Sequence, residues 1–349
     1  MTKVYIGRLE DNIPIVPLLY PNMGESRWGG RIWLDRAFIT LREPIVHIVD
    51  RIDDADYILL PHNYFYYKNK ECQLSSLVKL AEKYGKKIIV FAYGDSDQNI
   101  FVKHSLVFRT SQYRFKQGPN EIIMPAYIED LGETICPGLR IKGKFPIVGF
   151  CGWASFKTIG QKIKYVIKNV IIDISLGIKK KVFKQGIYFR KRAIKVLTNS
   201  LVVRANFIIR NSYSAHKETL GLDKAKARSD FINNIIESDL YLAIKGDGNY
   251  SNRFYEILSL SRVPVLVDTQ SILPLEDVIN YEEFILRVPY QDIDKLDKTI
   301  FNFYNSLDNN KFAEMQKKAR STFEKYLRID SFFKYYFENP ERLSSFAER

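Results

Sequence analysis

Cysteine is scarce in this chain. Cys72, Cys136 and Cys151 are the only three in 349 residues, and their spacing fits neither a disulfide framework nor a zinc site. That pattern speaks against a disulfide-stapled secreted scaffold and favours a reducing compartment. Long apolar runs are missing too. The opening MTKVYIGRLEDNIP lacks the apolar core of a signal peptide, and no stretch elsewhere is long enough to span a bilayer, so a cytoplasmic location is expected. No strong internal repeat and no low-complexity linker occur, which excludes repeat arrays and disordered tethers. Acids are outnumbered: 53 Lys and Arg face 40 Asp and Glu, giving a net charge of +13 that turns attention to anionic partners.

What is present is a globular composition. Hydrophobic residues make up 46% and aromatics 14%, enough for a sizeable core, and 349 residues exceed the usual single-domain size. The runs KVYIG, IVHIV, ADYILLP, KKIIVFAYG and SLVFRT read as β-strands, and Leu74 to Tyr84 reads as a helix stopped by Gly85. The alternation restarts at PIVGFCG, which places a boundary near Lys142 to Phe145. The fold class is therefore α/β, with a first domain over 1–144, a second over 145–325 and a helical tail over 326–349.

The densest pattern lies between Ser238 and Pro289. An apolar run, Leu240 to Ile244, leads into a glycine-bearing turn, Gly246 to Ser251, and then into a helix that keeps Phe254, Ile257, Leu258 and Ser261 on one side. A second β-type run, Val263 to Val267, closes a strand, helix, strand unit with parallel pairing. Gly246 and Gly248 let a backbone approach a ligand, and the helix start attracts anions. Ser251 is placed to cap that helix, Arg253 offers a fork of donors to a diphosphate, and Glu256 sits one turn further along the same side. Two plainer readings stand beside this one. The glycines and Ser251 form a near miss to the dinucleotide fingerprint of dehydrogenases, and Arg253 with Glu256 could be a surface ion pair.

The segments KGDGNYSNRFYE, SRVPVLV and LPLEDVINYEEFILRVP resemble the exostosin-type glycosyltransferases, in which a glycine-bearing loop with Ser, Arg and Glu precedes a Val-Pro strand and a Leu-Pro acidic motif. Weaker echoes, DADYILLPHNYFYY and FPIVGFCGWAS, fall in the family's order upstream. The resemblance implies a GT-B architecture, two Rossmann-like domains facing across a cleft, with the C-terminal helix crossing back to the first. It implies inverting, metal-independent transfer of a sugar from a nucleotide-sugar donor, UDP-linked, to a glycan or lipid-linked glycan acceptor in O-antigen or capsule synthesis. Ser251 and Arg253 would hold the diphosphate and Glu256 the ribose, with Lys245, Gly246, Asp247 and Gly248 near the phosphates or the donor sugar. Asp268, Leu273, Pro274 and Glu276 would line the far side. Asn249, Tyr250 and Asn252 around the serine depart from the commoner pattern and leave the donor sugar open. Animal members of the family are mostly Golgi membrane proteins, so a short form without an anchor points to a bacterial or viral cytoplasmic enzyme.

Inversion needs a general base on the acceptor side of the cleft. Strand ends and loops supply Asp95 and Asp97 in AYGDSD, His62 after ADYILLP, and Glu25 in NMGESRWGG, and the carboxyl ends of strands favour the first three. Arg210, Ser212, Tyr213 and His216 follow a β-type run in FIIRNSYSAHKETL, where Arg210 competes with Lys245 to balance the departing phosphate charge. No metal site is expected, because GDG and GDSD carry isolated carboxylates rather than a paired acidic motif, and cationic side chains can replace the ion. Retaining transfer and a nonenzymatic glycan-binding role remain the alternatives.

Much of the excess positive charge lies in 157–195, where Asp173 is the only acid. Ile163, Val166, Ile167, Val170, Ile171 and Ile174 recur at helical spacing against Lys162, Lys164 and Lys168, which makes a basic amphipathic helix. It could dock on anionic lipid or pack as an ordinary domain helix with solvated lysines. Nucleic-acid binding is the rival use of such charge, but no recognition module accompanies it.

Overall fold

The computed structural model describes residues 1–25, 34–68, 70–176, 178–211 and 223–347. Strands β1 (Thr2–Ile6), β2 (Val46–Val49), β3 (Tyr57–Leu59), β4 (Lys87–Ala92), β5 (Ser105–Arg109) and β6 (Glu121–Ile123) form one parallel sheet in the order β2-β1-β3-β4-β5-β6. Strands β7 (Ile147–Trp153), β8 (Arg204–Arg210), β9 (Leu240–Ala243), β10 (Val263–Asp268) and β11 (Leu286–Pro289) form a second, in the order β11-β10-β9-β7-β8, also parallel. Two parallel α/β layers of Rossmann type are thus the observed architecture, as the GT-B class requires. Both sheets are covered by helices, so their central strands are apolar throughout rather than alternating. Residues Ile88 to Phe91 and Leu240 to Ala243, for instance, are all fully buried.

The longer helices are α1 (Glu71–Tyr84), α2 (Ile159–Leu176), α3 (Gly186–Thr198), α4 (Lys224–Ile236), α5 (Asn252–Ser259), α6 (Leu296–Ser306), α7 (Asn309–Thr322), α8 (Ile329–Phe337) and α9 (Pro340–Ala347). Gly85 ends α1 at φ 61, the left-handed stop that its position predicts. Strand β6 is absent from the sequence reading. Between α7 and α8 the chain passes through a π-turn, Phe323–Leu327, and redirects toward the first sheet. There Phe333 meets Phe91 edge-on at 5.8 Å, Phe337 stacks on Phe108 at 5.5 Å, and Tyr336 meets Phe108 at 5.5 Å. The main apolar core consequently runs from Val4 and Phe91 of the first half through Ile257 and Leu258 of the second to Phe332 of the tail.

Candidate active site

From its β8 edge the second sheet runs β8-β7-β9-β10-β11, so the chain leaves β7 toward β8 and leaves β9 the opposite way, toward β10. A crevice opens at the carboxyl ends of two such strands, where ligands of open α/β sheets collect. The first turn of α5 points into it. Arg253 Nη2 donates to Cys151 O at 2.8 Å, and the guanidinium lies 4.6 Å from the centre of the Phe150 ring. Gly152 makes room for it: a Cβ there would stand 2.6 Å from Arg253 Nη2, and its φ of +151 is one that side-chain-bearing residues rarely adopt. Arg210 closes β8, donates from Nη2 to Ala227 O at 2.9 Å and lies 3.9 Å from Asp230. The Nε of Arg253 and that of Arg210 are both buried without an acceptor among the described residues. Both guanidinium groups thus stand near the carboxyl ends of adjacent strands, β7 and β8, held by backbone carbonyls.

Glu256 lies beside this pair, one turn along α5. Its Oε1 is 3.3 Å from Arg228 Nη1, and Arg228 Nη2 donates to Glu129 at 2.7 Å, so a carboxylate, guanidinium, carboxylate chain crosses between the two halves. Sequence reasoning misses Arg228. It stands on α4 with no local motif, and only its contact with Glu256 of α5 reveals it. Ser251 occupies the N-cap position of α5 as expected, in an extended conformation, yet its hydroxyl makes no capping bond among the described residues. Asn252 is exposed.

The glycine-bearing loop corrects an expectation: its amides face the protein rather than a phosphate. Gly246 N donates to Tyr250 O at 3.1 Å, Gly248 N to Asp95 Oδ1 at 3.3 Å, and Asn249 N to Ser111 Oγ at 2.8 Å. A Cβ on Gly248 would lie 2.7 Å from Asp95 Cα, so the close approach that needs this glycine is to the backbone of the first half. Asn249 is buried and completes the joint, donating to Gln112 O at 3.0 Å and Gln270 O at 3.2 Å while accepting from Thr269 Oγ1 at 2.7 Å. Asp247 projects to solvent at the tip.

Lys245 likewise stands elsewhere than a phosphate ligand would. It is buried, and its Nζ donates to Val182 O at 2.6 Å and to Tyr113 OH at 3.1 Å. Burial pulls its pKa down to about 7, opposed in part by the Asp97 carboxylate. The polar side chains beyond β10 also serve the joint. Arg114 of the first half donates to both Glu276 oxygens, at 2.9 and 2.7 Å, and Arg287 ties Glu276 to Asp268. Pro274 O accepts from Tyr281 OH at 2.6 Å, and Leu273 is buried. The closed space between this wall and the loop, lined by Lys245, Asn249, Ser251, Thr269 and Leu273, measures about 20 Å³, room for one water. A nucleotide is too large for this space.

Among the base candidates, Asp95 is exposed, follows β4 at its carboxyl end and touches the loop of the opposite half through Gly248. Asp97 is ion-paired to Lys116 at 2.9 Å. His62 is withdrawn from the role. It is fully buried, its Nε2 accepts from Glu10 N at 2.9 Å, and its Nδ1 is left to donate to Pro14 O at 3.1 Å, so neither nitrogen is available to an acceptor hydroxyl. Burial also lowers its pKa, as suits a neutral ring pinning the loop before β2. Glu25 is exposed at the edge of the described chain, and Ser212, Tyr213 and His216 lie outside the described residues.

No protein-family model matches this chain, and no curated protein matches it in sequence. Solved structures similar to it include a glycosyltransferase from Rickettsia africae, at 13% identity over 100% of this chain and 99% of that one, with a TM-score of 0.38. Anabaena HepE in complex with UDP-glucose is similar at 11% identity over 99% of this chain and 100% of that one, TM-score 0.37. TarM is similar at 14% identity over 75% of this chain, TM-score 0.32, and the match spans only 57% of TarM. Identities and superpositions at this level carry no functional argument, which rests on the residues themselves.

Proposed function

We propose that this chain is a glycosyltransferase that takes a sugar from a UDP-linked donor and passes it, with inversion and without a metal ion, to a glycan acceptor in the assembly of a surface polysaccharide such as an O-antigen or capsule. The observation that carries this reading is Arg253 at the β7/β9 switch point with Arg210 at the end of neighbouring β8, each with a buried Nε lacking an acceptor among the described residues, and the carboxylate of Glu256 one turn along α5. A diphosphate fits the guanidinium pair, and a carboxylate one helical turn away suits a ribose diol, Glu256 then exchanging part of its contact with Arg228 for the sugar hydroxyls.

In the transfer step the acceptor oxygen attacks the anomeric carbon as the bond to the diphosphate breaks, Asp95 takes the hydroxyl proton, and Arg253 with Arg210 receives the leaving charge. Asp95 is the preferred base because it is exposed at the carboxyl end of β4, across the joint from the donor half. Nucleotides binding only the folded state raise its melting temperature. UDP and UDP-sugars are expected to do so, NAD is not, and Arg253→Ala is expected to abolish the shift. Asp95→Asn should keep the shift and lower kcat by roughly a hundredfold or more, with activity surviving EDTA. A shift with NAD alone, or with no nucleotide, would sink this assignment.

A further inference from the structure

Helix α2 is built inside out. Its polar and aromatic side faces the protein: Tyr165 packs against Phe156 with ring centroids 5.0 Å apart, Asn169 is buried, and Asp173 pairs with Lys184 at 2.8 Å. The opposite side carries Ile159, Ile163, Val166, Ile167, Val170 and Ile174, each between 48% and 79% exposed. At 100° per residue these side chains occupy a sector of about 100°. Lys162 borders that sector on one edge, Lys164 and Lys168 border it on the other, and all three are exposed. Of the two readings of this helix, an ordinary domain helix with its apolar stripe on the core does not match the structure, since the stripe faces solvent. A continuous exposed apolar patch of this kind marks an interaction surface.

Charge selects the occupant. The one acid in the helix, Asp173, is already engaged by Lys184, so the face offers only cations around its apolar strip. A second copy would set lysine rows against lysine rows, whereas anionic headgroups complement them. Among the described residues no helix is long and apolar enough to cross a membrane, and α2 has the composition of a helix that lies in the interface plane.

We propose that α2 docks this protein on an anionic bilayer surface, its Ile and Val side chains among the acyl chains and Lys162, Lys164 and Lys168 at the headgroups. This docking stands on the helix alone and is independent of the sugar-transfer assignment. Sedimentation of the full chain with phosphatidylcholine vesicles, with and without phosphatidylglycerol, tests it. Binding is expected to require phosphatidylglycerol and to weaken with salt. It should fall about tenfold or more in the combined Lys162→Glu, Lys164→Glu and Lys168→Glu variant, each lysine near an anionic surface contributing roughly a factor of five. Ile163→Ser, Ile167→Ser and Val170→Ser combined should reduce binding comparably, with melting temperatures near the parent's in both variants because these side chains are solvent-exposed. Binding indifferent to anionic lipid, no binding, or variants that bind like the parent would overturn the proposal. So would a concentration-dependent dimer that the serine variant dissolves.

Discussion

Lys245 carries its ammonium group into the joint between the two halves, where burial drops its pKa from 10.5 to about 7. Below pH 7 the side chain is charged in both the folded and the unfolded chain, and the folded state bears the full cost of a buried cation. Between about 7 and 10.5 the folded form is neutral while the unfolded form still holds its proton, so stability rises with pH across that window. A tenfold difference in proton affinity is worth about 1.4 kcal/mol, so the gain is on the order of a few kcal/mol. Lys245→Met removes this titration. Its melting temperature relative to the parent should be highest near pH 6 to 7 and decline steadily toward pH 10, and a pH-independent difference would count against the burial account. The sequence marks Lys245 as a cation next to a glycine turn. It cannot tell whether that cation meets a ligand or the Val182 carbonyl and Tyr113 hydroxyl, since Tyr113 comes from the other half.

At the scale of elements, the β9, loop, α5, β10 unit is legible because apolar runs, glycine and helical periodicity are local signals, and the three segments form there except that the helix stops at Ser259, short of Ser261, which turns left-handed at φ 54. The use of the loop is not legible, because its partners Asp95, Ser111 and Gln112 lie far away in sequence. Helix α3 depends on the same contact. Gly186 N donates to Gly246 O at 3.1 Å, and a Cβ on Gly186 would stand 1.9 Å from Lys245 O, a backbone atom that cannot swing aside. Gly186→Ala is therefore expected to push α3 off the loop and to cost on the order of 1–3 kcal/mol, measured by denaturant unfolding. Gly160→Ala in α2 is the control: its Cβ would meet only Thr158 Oγ1, at 3.9 Å, and stability should hold or rise slightly. Equal effects at both positions would show that the close approach does not matter.

Over the whole molecule, the tail and the joint bind the two sheets into one cooperative unit. Helix α8 returns to the first sheet, Thr2 Oγ1 donates to Phe337 O, and Arg320 of α7 and Arg328 of the tail converge on buried Asp130. One core runs through both halves, so calorimetry should show a single unfolding transition. Phe333 is fully buried against Phe91, and Phe333→Ala should destabilise by about 3–5 kcal/mol. That loss should lower the single transition rather than split it, and two separated transitions in the variant would contradict the shared core.

By itself the sequence determined the α/β class, the restart at PIVGFCG and the guanidinium and carboxylate of α5, because strand composition, helical period and glycine placement act over a few residues. Only the tertiary structure decided that the glycine turn joins the halves, that His62 is a pinned structural ring, that Arg228 shares Glu256, and that the apolar stripe of α2 faces outward. Each of these turns on which distant surface a side chain meets. Periodicity fixes which residues share a face, and it leaves the direction of that face to the packing of the rest of the chain.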